Sequence, residues 1–301
     1  MHRRSFLRNT GLTIGALTLV QKNILSALFE DPYKLTMLTK RIGIFSEKGG
    51  TIAFYIGKSE IVVVDSQFPE QSKHLIDALR STSRAPFGLL INTHHHGDHT
   101  SGNIAFKGLV KDVLAHENSL KNQRAVAIAN KTEDKQLYPN QTFNTEWCHR
   151  SGKQPICLHY YGAGHTNGDS IMHFQHANIA HMGDLVFNRR HPYVDRSAGA
   201  NMKNWMIVLN RAQNTFDANT RFIYGHAGEG YDVVGKADDL RAFSDYLGSV
   251  LHFVEGEIKA GKSKEEILKN KTIPGADQWK GDGIERPLTA AYEEIIASNN
   301  S

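Results

Sequence analysis

The sequence predicts an α/β protein, and three observations carry that prediction. Short β-branched runs alternate with stretches of helical spacing. Glycine-rich turns follow the apolar runs, and those turns hold histidines and aspartates. Taken in order, residues 38–44 and 51–56 flank Gly49-Gly50 and read as strand, turn and strand. Residues 61–65, Ile-Val-Val-Val-Asp, form a continuous run of the kind buried on both faces of a sheet. Residues 70–81 carry Leu75, Ile76 and Leu79 at helical spacing. Phe87-Gly88-Leu89-Leu90 then leads through Ile91-Asn92-Thr93 into a loop, as a buried strand does at its end. Helical patterns recur at 117–130, 202–216 and 236–259. Ser263-Lys264-Glu265-Glu266 is a capping box that opens a short helix, and a second short helix is expected over 289–297.

The loop after the 87–93 strand holds His94-His95-His96-Gly97-Asp98-His99. Alternate side chains of an extended segment share a face, so His94 and His96 can converge on one ion while His95 points away to pack or meet solvent. Asp98 and His99, past the bend at Gly97, can reach a second ion. Imidazole and carboxylate together suit a borderline cation such as zinc. Three later turns offer more donors of the same kind: His165 in Gly164-His165-Thr166-Asn167-Gly168-Asp169, Asp184 after Met182-Gly183, and His226 in Gly225-His226-Ala227-Gly228. Each follows a strand-like run, where the backbone is free to bend and loops carry chemistry.

The His-x-His-x-Asp-His motif, with these turns in this order across roughly residues 42–235, resembles the metallo-β-lactamase superfamily. The resemblance implies an αββα sandwich, two mixed sheets with helices outside and metals at one edge. It implies His94, His96 and His165 on a first metal, Asp98, His99 and His226 on a second, and Asp184 bridging both. The cofactors would be two divalent cations, zinc first, with iron or manganese open because every donor is nitrogen or oxygen. The reaction implied is hydrolysis of an activated acyl bond (lactone, ester, thioester or β-lactam) by a hydroxide bridging the cations, with Asp98 as the catalytic residue that orients it. True β-lactamases usually carry a cysteine or a non-ligand where Asp184 stands; the aspartate looks more like glyoxalase II or the lactonases. Two alternatives come from other classes: a mononuclear-iron persulfide dioxygenase, and a metal-binding accessory protein without turnover. Seven filled ligand positions lean towards hydrolysis. There is no Gly-x-Ser-x-Gly elbow, and no flavin-type domain follows.

The formal net charge of +4 comes from the first residues: Arg3, Arg4, Arg8 and Lys22 precede the first acid, Glu30, and without them the chain is neutral. A neutral chain has little attraction for nucleic acid, which argues against the nucleases of the superfamily. Arg3-Arg4-Ser5-Phe6-Leu7-Arg8 and the apolar residues 11–20 resemble a twin-arginine export signal, too short to span a bilayer. The expected organisation is a signal over 1–29, a catalytic domain over 30–260 and a helical extension over 261–301 packed on it. Expected partners are a small-molecule substrate and, in transit, the twin-arginine export machinery; the expected location is periplasmic or otherwise exported, without stable membrane insertion. Cys148 and Cys157 flank a hairpin turned at Gly152-Lys153, which sets them directly opposite; a disulfide and two separate thiols both remain open. Residues 188–196 hold Arg189, Arg190 and Arg196, expected to wall the pocket and bind an anionic substrate group. Asp169 either orients His165 or caps its turn, and His181 is a candidate support for Asp184. His116, His173, His176 and His252 receive no role.

Overall fold

The computed structural model describes residues 32–299; the expected signal over 1–29 lies outside the described residues. Among them, strands fall in two principal sheets. The first runs in the order β1 (Lys34–Met37), β2 (Ile42–Ser46), β3 (Ile52–Ile56), β4 (Ile61–Val64), β5 (Phe87–Ile91), β6 (Val110–His116), β7 (Gln141–Phe143). Pairing is antiparallel from β2 to β4 and parallel from β4 to β7. The second sheet has the order β15 (Val234–Gly235), β13 (Arg221–Ile223), β11 (Ile179–His181), β10 (Ile171–Phe174), β9 (Gln154–His159), β8 (Glu146–Ser151). Only its β11–β13 pair is parallel. A small parallel pair joins β12 (Phe187–Asn188) to β14 (His226–Ala227) at the edge of the cleft.

The sheets face each other across one apolar layer. Val62, Val64, Leu89 and Ile91 come from the first, and Ile156, Leu158, Met172, Phe174 and Ile223 from the second. Val63 and Leu90 point the other way and are buried too, so the continuous runs are indeed covered on both faces. Helices lie outside: α1 (Pro69–Thr82) and α3 (Glu117–Asn130) accompany the first sheet, with the single turn α2 (Gly97–Thr100) after β5. The second sheet carries α4 (Met202–Thr215) and α5 (Ala237–Lys259). After the short α6 (Lys264–Ile267), whose Ser263–Glu266 capping box forms, α7 (Glu285–Asn299) packs Leu288, Ala291 and Ile295 into the same core. This is the expected α/β sandwich, and residues from Leu35 onward form one unit that includes the tail.

The β8–β9 hairpin has the expected register, with Ser151 opposite Gln154 and Cys148 opposite Cys157. The two cysteines are joined as a disulfide with a Cα separation of 4.2 Å, the spacing of a non-hydrogen-bonded antiparallel pair. No described helix is long and apolar enough to cross a membrane.

Candidate metal centre

The seven expected ligands meet at the ends of the strands that precede them. β5 runs out at Ile91 into a bend over 93–95 that presents His94, His96 follows in extended backbone, and α2 turns Asp98 and His99 inward. The ring nitrogens of His94, His96 and His165 and an oxygen of Asp184 lie within 4.8 Å of one another, as do donors from Asp98, His99 and His226. Asp184 faces both sets. Its Oδ1 is 3.1 Å from His99 Nε2, while Oδ2 is 3.4 Å from His226, 3.6 Å from His165 and 3.9 Å from His94. Asp98 sits 3.1 Å from His226. Glycine is required beside this group: a Cβ at Gly225 would collide with Asp184 Oδ1, and one at Gly50 with the His99 ring.

Whether these residues suit a cation is decided by where their protons go. A neutral imidazole has one N–H and one lone pair. His99 Nδ1 donates to Asp65 at 2.8 Å, His96 Nε2 to Asp195 at 2.9 Å, and His165 Nδ1 to the Tyr193 carbonyl at 2.8 Å. The Thr93 hydroxyl donates to Asp65 and so accepts from His94 Nδ1. In the neutral form of these four rings the outer nitrogen is thus the donor, and the inner nitrogen is left with its lone pair facing the others. His96 Nδ1 lies 3.1 Å from His94 Nε2 and 2.8 Å from His165 Nε2. His99 Nε2 and Asp184 Oδ1 are buried without a hydrogen bond although 3.1 Å apart. Lone pairs converging in a buried site repel unless a cation stands among them, so the set fits metal ions.

The charges agree. Burial, then the neighbouring His99, hold His94 well below the ordinary histidine range; burial, then His96, bring His165 down to about 3. At His226 burial opposes the charge but Asp184 and Asp98 outweigh it, raising it to about 9. His99 is likewise raised by Asp184 and Asp65 against burial. Asp184 is depressed, its burial overcome by His226 and His99. The cluster therefore draws positive charge to its centre.

Three positioning groups were not foreseen. Asp65 ends β4 in a left-handed conformation with φ 64°, rare for a non-glycine residue. From there it accepts Thr93 N–H at 2.8 Å as well as the two side-chain bonds. Its signal in the sequence was a carboxylate closing an apolar run. Asp195 holds His96, and Arg286 in α7 lines the cleft; nothing local marks either. His95 is buried and packs, but it does not turn away from its neighbours: its ring lies 4.4 Å from that of His96, with Nε2 3.5 Å from the same Asp195 oxygen that holds His96. Asp169 caps its own turn, accepting from Thr166 N–H and hydroxyl. His181 donates to the Thr51 carbonyl and accepts Gly183 N–H, holding the turn that presents Asp184.

The cleft, about 340 Å³, is lined by His96, Asp98, Asp184 and His226 with Phe187, Arg190, Tyr193 and Arg286. Of the three arginines expected there, only Arg190 lines it. Arg189 is turned away, bonded to Asp239 at 3.0 Å and Gln278 at 2.8 Å and stacked on Trp279. Arg196 bonds the Ala200 carbonyl and Glu294. The loop's arginines are thus divided between the cleft and the scaffold by where carboxylates from α5 and α7 happen to stand.

With this geometry in view, the profile of the Metallo-beta-lactamase superfamily matches residues 48–228, more than half the chain and a span that contains all seven expected ligands. The chain belongs to the metallo-β-lactamase superfamily. It is 22% identical over 206 residues to the metallo-β-lactamase IND-1 of Chryseobacterium indologenes, 66% of this chain and 82% of that protein. It is 30% identical over 134 residues to the 2,4-dinitroanisole O-demethylase subunit alpha of a Nocardioides strain, 44% of this chain and 39% of that one. Among solved structures, a metallo-β-lactamase from Pontibacter korlensis superposes with a TM-score of 0.61 at 20% identity, over 72% of this chain and 99% of its own. A double mutant of the sec-alkyl sulfatase PisA1 superposes with a TM-score of 0.71 at 13% identity, over 88% and 50%. The names of these relatives cover a β-lactamase, an O-demethylase subunit and an alkyl sulfatase.

Proposed function

We propose that this chain is a dinuclear metal-dependent hydrolase of a small anionic substrate with an activated acyl bond, a lactone, ester, thioester or β-lactam. The observation that carries it is the orientation of four imidazoles with their N–H groups outward and lone pairs inward, beside a carboxylate that faces both ligand sets. The second set, Asp98, His99 and His226, is complete, which favours hydrolysis over a one-iron dioxygenase. When bound, the cations supply Lewis acidity and acidify water; zinc suits the donors, with iron and manganese as other candidates.

The chain's own residues do the rest. Arg190 and Arg286 at the cleft mouth hold the anionic group. Phe187 and Tyr193 shield the reacting bond from bulk solvent. Asp98, about one-third exposed, orients the attacking water. Export to an oxidising compartment, from the signal expected over 1–29, accords with the disulfide in the β8–β9 hairpin.

Elemental analysis of protein loaded in the cytoplasm should return two cations per chain. A panel of lactones, thioesters, carboxylate esters and β-lactams should contain a substrate, with acid forms preferred to neutral analogues. Turnover confined to a secondary alkyl sulfate, an aryl methyl ether or a persulfide would overturn the acyl assignment. One cation per chain, unchanged in Asp98→Ala, would overturn the dinuclear one.

A further inference from the structure

Two of the three histidines of the first ligand set are held from outside by a single stretch of the arginine loop. His165 Nδ1 donates to the Tyr193 carbonyl at 2.8 Å, and Asp195 N–H donates back to the His165 carbonyl at 3.2 Å. His96 Nε2 donates to Asp195 Oδ2 at 2.9 Å. The Asp195 carboxylate is itself fixed, accepting from the Ser197 hydroxyl and the Ala198 N–H through its other oxygen. The Tyr193 ring lies 5.4 Å from the His96 ring at the cleft mouth. Tyr193 therefore lines the cleft on one side and holds His165 on the other, and Asp195, two residues further along, holds His96.

We infer that Asp195 is a positioning residue of the first metal site: its carboxylate fixes the His96 tautomer and ring angle, coupling the wall of the cleft to metal affinity. The inference rests on the metal-centre reading above. A ring that loses its outer acceptor is free to rotate or to carry its proton on the inner nitrogen, where it blocks coordination. No other acceptor is available to His96 Nε2 among its described contacts.

The test is metal competition against a chromogenic chelator, with the visible spectrum of the cobalt-substituted protein as second readout, for wild type, Asp195→Ala, Asp195→Asn and Ser197→Ala. In Asp195→Ala one of the two cations should bind about 10–100-fold more weakly, the usual cost of losing an outer partner, with a changed cobalt spectrum. Asp195→Asn should recover most of that affinity, since its amide oxygen still accepts from Nε2. Ser197→Ala removes a bond to the same carboxylate without touching His96, and should bind both cations as wild type does. If Ser197→Ala loses as much affinity as Asp195→Ala, the aspartate merely caps the loop and the inference is overturned. Wild-type affinity and spectrum in Asp195→Ala overturn it outright. Wild-type protein that takes up one cation overturns the dinuclear reading and leaves the inference to be read from that cation, whereas wild-type protein that takes up none overturns both.

Discussion

Two loops meet across the cleft, residues 93–100 and residues 188–196, and they spend their polar side chains in opposite ways. The first sends His94, His96, Asp98 and His99 inward as donors. The second sends Arg189 and Arg196 outward to Asp239 and Glu294, and offers the centre a backbone carbonyl and one carboxylate instead. In the first loop direction is local: the bend that follows β5 aims His94 and His96, and one helical turn aims Asp98 and His99. In the second it is tertiary, because a long guanidinium goes wherever a carboxylate and an aromatic face await it. The difference teaches that a short ligand motif encodes its own geometry, whereas a cluster of arginines encodes only charge.

The largest effect expected lies in the first loop's territory. Asp184→Ala removes the carboxylate that faces both ligand sets and should lower kcat/KM by more than about 100-fold, beyond the usual cost of an outer-sphere loss. His95→Ala, whose imidazole lies 3.5 Å from Asp195 and 4.4 Å from the His96 ring but in neither ligand set, should stay within about threefold, as substitutions outside a key contact do. Similar losses in the two folded variants would break the contrast between inward and sideways side chains.

Next in size is the removal of the cations. At a free cation concentration about 1,000-fold above Kd, each site contributes about 4 kcal/mol, and at roughly 2–4 °C per kcal/mol chelation should lower Tm by about 8–16 °C for each of the two cations removed. The loss should depend on pH. In stripped protein His226 is raised to about 9, burial being outweighed by Asp184 and Asp98. A raised histidine stabilises the fold fully below its unfolded value near 6.5 and loses that contribution as pH climbs through 9. Loaded protein has no proton there to lose. The Tm gap between loaded and stripped protein should therefore widen from pH 6.5 to 9; a constant gap would show that the carboxylates do not protonate His226.

Much of this site was legible beforehand, for physical reasons that the residues make plain. His94, His96, Asp98 and His99 sit within six positions, where backbone geometry alone relates them, and His165, Asp184 and His226 each follow an apolar run that had to end at one edge of a sheet. The helices at 70–81 and 117–130 were marked by spacing or length, and the hairpin by its two-residue turn. What escaped were groups related only by the fold. Asp65 meets His99 across 34 positions and Asp195 meets His96 across 99. Arg286 reaches the cleft from a tail helix that looked like an appendage. The strand β6 escaped too, since Val110–His116 mixes charge with apolar residues and its first half is only partly covered.

The smallest effects should sharpen the division within the arginine loop. Arg190→Ala and Arg286→Ala each remove a cation from the cleft mouth. One charge-assisted hydrogen bond is worth about 1.5 kcal/mol at the lower end, so KM for an acid substrate should rise by up to about tenfold with kcat little changed. Arg189→Ala should leave KM alone and reduce stability by about 1–2 kcal/mol, because it loses both the Asp239 pair and its stacking on Trp279. Arg196→Ala should cost still less, below about 1 kcal/mol. Its partner Glu294 is buried but keeps the Met202 and Lys203 N–H groups at 2.8 and 3.0 Å, capping the start of α4. That carboxylate is therefore not stranded when the arginine goes. Steady-state kinetics on one acid substrate and thermal melts of the four variants separate the two classes. A KM rise in Arg189→Ala or Arg196→Ala equal to that in Arg190→Ala would mean that the loop acts through its overall charge, and the partition between cleft and scaffold would fall.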